Sequence, residues 1–117
     1  MSKSEIGKLG EEIAKEYLVR KSHNIIAQNY RFGHGEIDLI TESGKTLVFV
    51  EVKTRQNLNF GEPELAVTPG KQKQLRKIGT AYLYQNEITD RECRFDVIAI
   101  LLEKGKEPKI KHYENAF

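Results

Sequence analysis

The sequence holds a single cysteine and no apolar run approaching the ~20 residues a membrane-spanning helix needs. Cys93 alone cannot form an internal disulfide, so a disulfide scaffold is excluded and a reducing cytoplasm is the expected compartment. The polar start Met1-Ser2-Lys3-Ser4-Glu5 lacks the apolar segment of a secretory signal, and no membrane partner is expected. Internal repeats and linker-like shifts in composition are also missing, so residues 1–117 read as one domain with one core. A large charge excess is lacking too. The formal net charge of +2 cannot by itself argue for a polyanionic partner. Its distribution is more informative, because from Lys53 to Asn86 six basic residues face two acidic ones, a local +4 that leaves −2 elsewhere. A basic sector beside an acidic site suits a phosphodiester, although solvated Lys and Arg on a helix face are common in any protein.

What is present is a hairpin-like stretch from Gly35 to Arg55, GEIDLITESGKTLVFVEVKTR. Asp38, Glu51 and Lys53 interrupt runs of Ile, Leu, Val and Phe, where ionised groups are costly unless paired or metal-bound. Strand side chains alternate faces, so Glu36 and Asp38 share one side of the first strand, and Glu51 and Lys53 one side of the next. If Gly44 opens a two-residue type II′ turn, Ser43 pairs with Thr46, Asp38 falls opposite Glu51, and Glu36 opposite Lys53. A four-residue loop from Glu42 to Lys45 would shift the register by two and keep the same face. Opposed carboxylates repel, which raises a pKa or recruits a cation, and oxygen-only ligands favour Mg²⁺ or Mn²⁺. The alternative is a plain surface ion pair between Glu51 and Lys53.

Upstream, a helix is predicted from about Ser4 to Lys21, with Ser2 and Glu5 able to form a capping box. Ile6, Leu9, Gly10, Ile13, Ala14, Tyr17 and Leu18 make its apolar arc, and Glu11 lies at the arc's edge. Gly7 and Gly10 each weaken the helix by about 1 kcal/mol relative to alanine, so close approach to the sheet is the expected compensation for both. Asn24 to Phe32 reads as a first strand. Gln56 to Pro69 is a long loop without clear period, of the kind that is functional or mobile. Thr68 can cap a helix reaching about Asn86, on which Leu75, Ile78 and Tyr82 face the core and Lys71 extends their stripe toward the sheet. Cys93 to Leu102 reads as a buried strand and Ile110 to Tyr113 as a short edge strand. Asp96 shares a strand face with Arg94 and Ile98, and is expected either to brace the site or to pair structurally with an Arg or Lys. The order helix, three strands, helix, two strands predicts an α/β or α+β domain with a mixed sheet of about five strands flanked by helices.

The Asp followed on the next strand by Glu-x-Lys resembles the signature of the PD-(D/E)XK nuclease superfamily. More narrowly, Gly7-x-x-Gly10-Glu11, Asn29-x-Arg31, Gly35-Glu36-Ile37-Asp38-Leu39-Ile40, Phe49-Val50-Glu51-Val52-Lys53-Thr54-Arg55, Arg94-Phe95-Asp96 and Asn115-Ala116-Phe117 resemble the YraN family of small bacterial proteins, itself similar to archaeal Holliday-junction resolvases. The match runs nearly end to end. The resemblance implies a restriction-endonuclease-like core and a Mg²⁺- or Mn²⁺-dependent DNA endonuclease, with branched DNA among its substrates. Asp38, Glu51 and Lys53 would be catalytic, and Asp38, Glu51 and Glu11 would hold the metal. Arg31, Arg55, Lys71, Lys73 and Arg76 would contact DNA, while Glu36 and Asp96 would support the ligands from behind. A homodimer is a possible assembly. The competing expectations are a nucleic-acid-binding module of the same fold with little or no catalysis, and an interaction protein whose charged cluster is only an ion network. An intact Asp, Glu and Lys set favours the enzyme.

Overall fold

A computed structural model describes residues 1–57 and 67–117. Its elements are α1 (Lys3–Arg20), β1 (Asn24–Phe32), β2 (Gly35–Ser43), β3 (Thr46–Arg55), α2 (Pro69–Gln85), β4 (Cys93–Leu101) and β5 (Lys109–Tyr113). The five strands form one sheet in the order β1-β2-β3-β4-β5, antiparallel throughout except that β3 and β4 run parallel. Parallel neighbours require a crossover, and α2 lies in that connection. The long loop expected from Gln56 to Pro69 falls, for residues 58–66, outside the described residues.

Both helices begin where their caps dictate. The Ser2 side chain accepts from the Glu5 N–H while the Glu5 carboxylate accepts from the Ser2 N–H, closing the capping box. Thr68 caps α2 through the Lys71 N–H, with Pro69 at the first helical position. Helix α1 buries Ile6, Gly10, Ala14 and Leu18, spaced four apart, and its core-facing Ala14 and Leu18 pack with Leu39, Val48, Val50, Ile98 and Ile100 on one face of the sheet. Helix α2 covers the opposite face, where Leu75, Ile78 and Tyr82 meet Ile37, Ile40, Leu47, Phe49 and Val97. Successive residues of β3 thus feed alternate cores, Val48 and Val50 toward α1 and Leu47 and Phe49 toward α2. Phe117 stacks on Phe95 at the edge of the α2 core, with centroids 5.1 Å apart.

The β2–β3 hairpin closes as the two-residue turn requires. Ser43 pairs with Thr46, and Gly44 takes a φ of 59° at the first central position. From there the ladder runs to Leu39↔Val50. Beyond that pair β2 stays with β1 as far as Gly35↔Phe32, while β3 stays with β4 as far as Arg55↔Leu101. The two central strands therefore part, and strict alternation on β2 fails at the same place. Ile37 and Ile40, three residues apart, both enter the core beneath α2, as do Ala27 and Tyr30 on the neighbouring strand. The cause lies between them. Asn29 adopts φ 48°, and it and Asp38 drop out of the β1–β2 ladder between Gln28↔Leu39 and Tyr30↔Ile37, while the register stays constant there and shifts only between Ile25 and Ala27.

Of the two glycines expected to press α1 onto the sheet, only Gly10 does so. A Cβ there would lie 1.9 Å from Thr54 Oγ1 and 2.9 Å from Thr54 Cβ, whereas at Gly7 it would meet nothing within 4 Å among the described residues. Gly10→Ala is accordingly expected to lower stability by about 1–3 kcal/mol despite the better helix propensity of alanine. Adding Thr54→Ala should restore most of the loss. Equal melting temperatures for native and Gly10→Ala proteins would show that the helix does not sit this close.

Candidate metal centre

Where β2 and β3 part, the Val52 N–H would face the gap without a strand partner. The Asp38 carboxylate supplies one, its Oδ2 accepting from Val52 N at 2.8 Å. This contact turns the Asp38 side chain into the split, beside Glu51. Glu11 arrives from α1 and Glu36 from β2, so that Glu11, Glu36 and Asp38 each offer a carboxylate oxygen within 4.8 Å of the others. Asn29 holds two of them in place, its amide donating to Glu11 Oε1 at 3.1 Å and to Glu36 Oε1 at 3.2 Å.

Burial makes the charges expensive. The Glu51 side chain is only 5% exposed, and Lys53 from β3 and Lys71 from α2 each bring an ammonium to 3.6 Å from the same oxygen, Oε2. That distance exceeds a hydrogen bond and serves to balance charge. Lys71 reaches Glu51 because it continues the Leu75, Ile78 and Tyr82 stripe one turn toward the N-terminus. Among the described residues, Asp38 has no such counter-ion. Burial first, then the hydrogen bond and repulsion from Glu51, push its carboxyl up from 3.8 to about 9, against the opposing Val52 N–H. Burial also raises Glu11, reinforced by Glu36 and Glu51 and only partly offset by the Asn29 amide. Such a cluster is short of positive charge and rich in oxygen donors, which is what a hard divalent cation would complete.

The structure places two residues, Glu36 and Asp96, differently from the expectation. Glu36 does not face Lys53; it bonds Asn29 and pairs with the Arg31 guanidinium at 3.2 Å, because the kink at Asn29 turns it toward Glu11. It joins the carboxylate group itself rather than standing behind it. Asp96 lies outside the group. Fully buried, it accepts from Arg94 Nε at 3.0 Å, from His112 Nε2 at 2.7 Å and from the Asn115 N–H at 2.9 Å. Burial pulls its carboxyl up, but the bonds from His112, Arg94 and Asn115 outweigh that and hold it below the ordinary range. Since a carboxylate can only accept, His112 donates through Nε2, and its Nδ1 shares a hydrogen bond with the Tyr17 hydroxyl at 3.2 Å. The Asp96 alternative realised is therefore structural pairing, tying α1, β4, β5 and the C-terminal turn together.

Arg55 lies at the end of β3 with Nη1 on the Thr54 carbonyl at 3.3 Å, and Lys73 and Arg76 are exposed on α2. Arg76 covers the Phe117 ring at 5.6 Å. Asn29 stands in the Asn29-x-Arg31 pattern, but sequence reasoning gave it no role. Asparagine is a poor strand former, and its place inside a nine-residue strand was the available signal.

The mixed five-stranded sheet with a helix on each face is an α+β fold compatible with a restriction-endonuclease-like core. The chain belongs to Uncharacterised protein family UPF0102, whose model matches residues 10–100. It is 47% identical over 112 residues to a UPF0102 protein of Geobacter sulfurreducens, covering 96% of this chain and 88% of that one. A UPF0102 protein of Syntrophomonas wolfei is 46% identical over 113 residues, covering 97% of both chains. One of Geotalea daltonii is 48% identical over 112 residues, covering 96% of this chain and 88% of that one. Among the described residues, no helix is long and apolar enough to cross a membrane.

The Asp38 shift has a measurable sign. Between pH 3.8 and about 9 the folded chain keeps a proton that the unfolded chain releases, so this group's contribution to stability is full at acid pH and falls as pH rises through that window. Asparagine mimics the protonated acid, accepting from Val52 and donating to Glu51. In EDTA, Asp38→Asn is expected to melt above the native protein at pH 8, with the difference shrinking toward pH 4. A difference independent of pH would mean that Asp38 is ionised in the native state.

Proposed function

We propose that this chain is a metal-dependent endonuclease acting on DNA phosphodiester bonds, branched or structured DNA included, as a single cytoplasmic nuclease-like domain. The observation that carries the reading is the convergence of Glu11, Glu36 and Asp38 within 4.8 Å, next to a buried Glu51 that holds Lys53 and Lys71 at its carboxylate. The resemblance to the PD-(D/E)XK pattern supports the same assignment.

An all-oxygen donor set lacking positive charge fits Mg²⁺ or Mn²⁺. Glu11, Asp38 and Glu36 would hold the ion, with Glu51 adjoining. When bound, such an ion lowers the pKa of a coordinated water and stabilises negative charge on a phosphoryl oxygen. The protein's own contributions can be assigned separately. Asn29 orients Glu11 and Glu36, and the Val52 N–H fixes one Asp38 oxygen. Lys53, two residues beyond Glu51 and partly exposed, would place its ammonium against the attacked phosphate or the attacking water. Lys71 would keep Glu51 neutralised when Lys53 turns to substrate, a division of labour supported by their equal distances from Oε2. Arg31, Arg55 and Lys73 would meet flanking phosphates.

Mg²⁺ or Mn²⁺ is expected to raise the melting temperature, equivalent to about 2.7 kcal/mol at a hundredfold excess over Kd. Asp38→Asn should abolish that increment while raising the metal-free baseline. On linear, flapped and four-way-junction DNA, Glu51→Gln and Lys53→Ala are expected to remove Mn²⁺-dependent cleavage and leave affinity largely intact. Lys73→Glu should do the reverse, weakening binding and flattening its salt dependence by about one unit of slope. It is a cleaner probe than Arg76, whose guanidinium also packs on Phe117. Binding without any cleavage that Lys53→Ala abolishes would leave a nucleic-acid-binding module in place of the enzyme.

A further inference from the structure

Glycine in a helix interior is unfavourable relative to alanine, and at Gly10 the approach of Thr54 explains it. At Gly7 a Cβ would meet no atom of the described residues within 4 Å. The space beside Gly7 is a groove of ≈ 590 Å³ between α1 and the end of β3. Lys3, Ile6 and Glu11 line one wall, and Val52, Lys53 and Arg55 the other. Glu11 and Lys53 also belong to the carboxylate site, so the groove leads directly out of it.

The lining chemistry narrows the occupant. Lys3 and Arg55 provide positive charge along the groove beyond Lys53, whose ammonium serves the carboxylate site, and Ile6 and Val52 provide a small apolar surface. Among the described residues the lining is charged, polar and aliphatic, which suits contacts to phosphate and sugar. The volume is in the range of small-ligand pockets, roughly 300–1,000 Å³, too small to admit a duplex, which instead receives protein elements into its own grooves. We propose that this groove seats an unpaired stretch of the DNA strand next to the phosphodiester at the carboxylates, and that Gly7 sets its depth. The inference rests on the nuclease reading for its substrate and adds to it a preference for strands with an unpaired segment. Gly7 is a specificity-determining residue because any longer side chain at this helical position projects into the groove.

Gly7→Ala and Gly7→Met test this without the usual confusion between folding and binding. Both put a better helix former at an open position, so both should raise the melting temperature. Fluorescence anisotropy with a labelled oligothymidylate and a blunt hairpin duplex, each in Ca²⁺, then reads the groove. Gly7→Met is expected to weaken the oligothymidylate by roughly tenfold while duplex affinity stays within about twofold; Gly7→Ala should retain both. Lys3→Ala, at the rim, should weaken the oligothymidylate selectively and reduce its salt slope by about one unit. Native affinity for the oligothymidylate in both Gly7→Met and Lys3→Ala would overturn the proposal, as would equal loss of strand and duplex. The Mn²⁺-dependent rise in melting temperature reads the carboxylates separately. Its retention in Gly7→Met confines the effect to the groove. Its absence from the native protein would sink the metal centre while the anisotropy still decided the groove.

Discussion

The bond from the Val52 N–H to the Asp38 carboxylate sits at the point where the sheet divides. A central strand cannot leave buried amides unpaired, and β3 loses its β2 partner beyond Val50. A carboxylate takes over the pairing at 2.8 Å, which lets β2 and β3 separate without exposing an orphan donor. The separation makes room for acidic groups from α1, β2 and β3 to meet in one place. Asp38 is thus both the brace of the split and a member of the cluster the split creates. Replacing it by an apolar residue would remove both at once.

The electrostatics follow from that crowding. Glu51 is compensated by two ammonium groups, whereas Asp38 and Glu11 are left to repel and to hold protons that exposed carboxyls would lose. The arrangement stores unfavourable interaction at the centre, and a marginally stable domain must offset it elsewhere. The Asp96 network does so on the same sheet. There a fully buried carboxylate has three donors and its proton is readily released. Two aspartates of one sheet, both penalised by desolvation, therefore have opposite shifts, because one is surrounded by donors and the other by acids.

Helix α1 shows a similar contrast within a single turn. Gly10 lets the helix touch Thr54, which carries Glu11 to the sheet, while Gly7 leaves the wall beside it open. The close contact positions the cluster and the open one gives access to it. Helix α2 contributes from the other face, where Lys71 crosses to Glu51 from the end of an apolar stripe.

Much of this was legible in the sequence. Caps, apolar periods and turn residues located the seven elements of the described residues, because these signals act over a few residues and each has a local cause. The meeting of Asp38 with Glu51, and the reach of Glu11 and Lys71, followed from strand parity and helix phase. Parity failed for Glu36, since one asparagine with positive φ at residue 29 breaks the alternation that the argument assumed. The partner of Asp96 was equally beyond local reasoning, because His112 and Asn115 approach it only when β5 pairs with β4. Gly7 and Gly10 look alike in sequence and differ only in what stands opposite them. Local composition determined which segments are helix and strand and which residues carry charge; the splitting of two paired strands, a long-range event, decided which of those charges share a site.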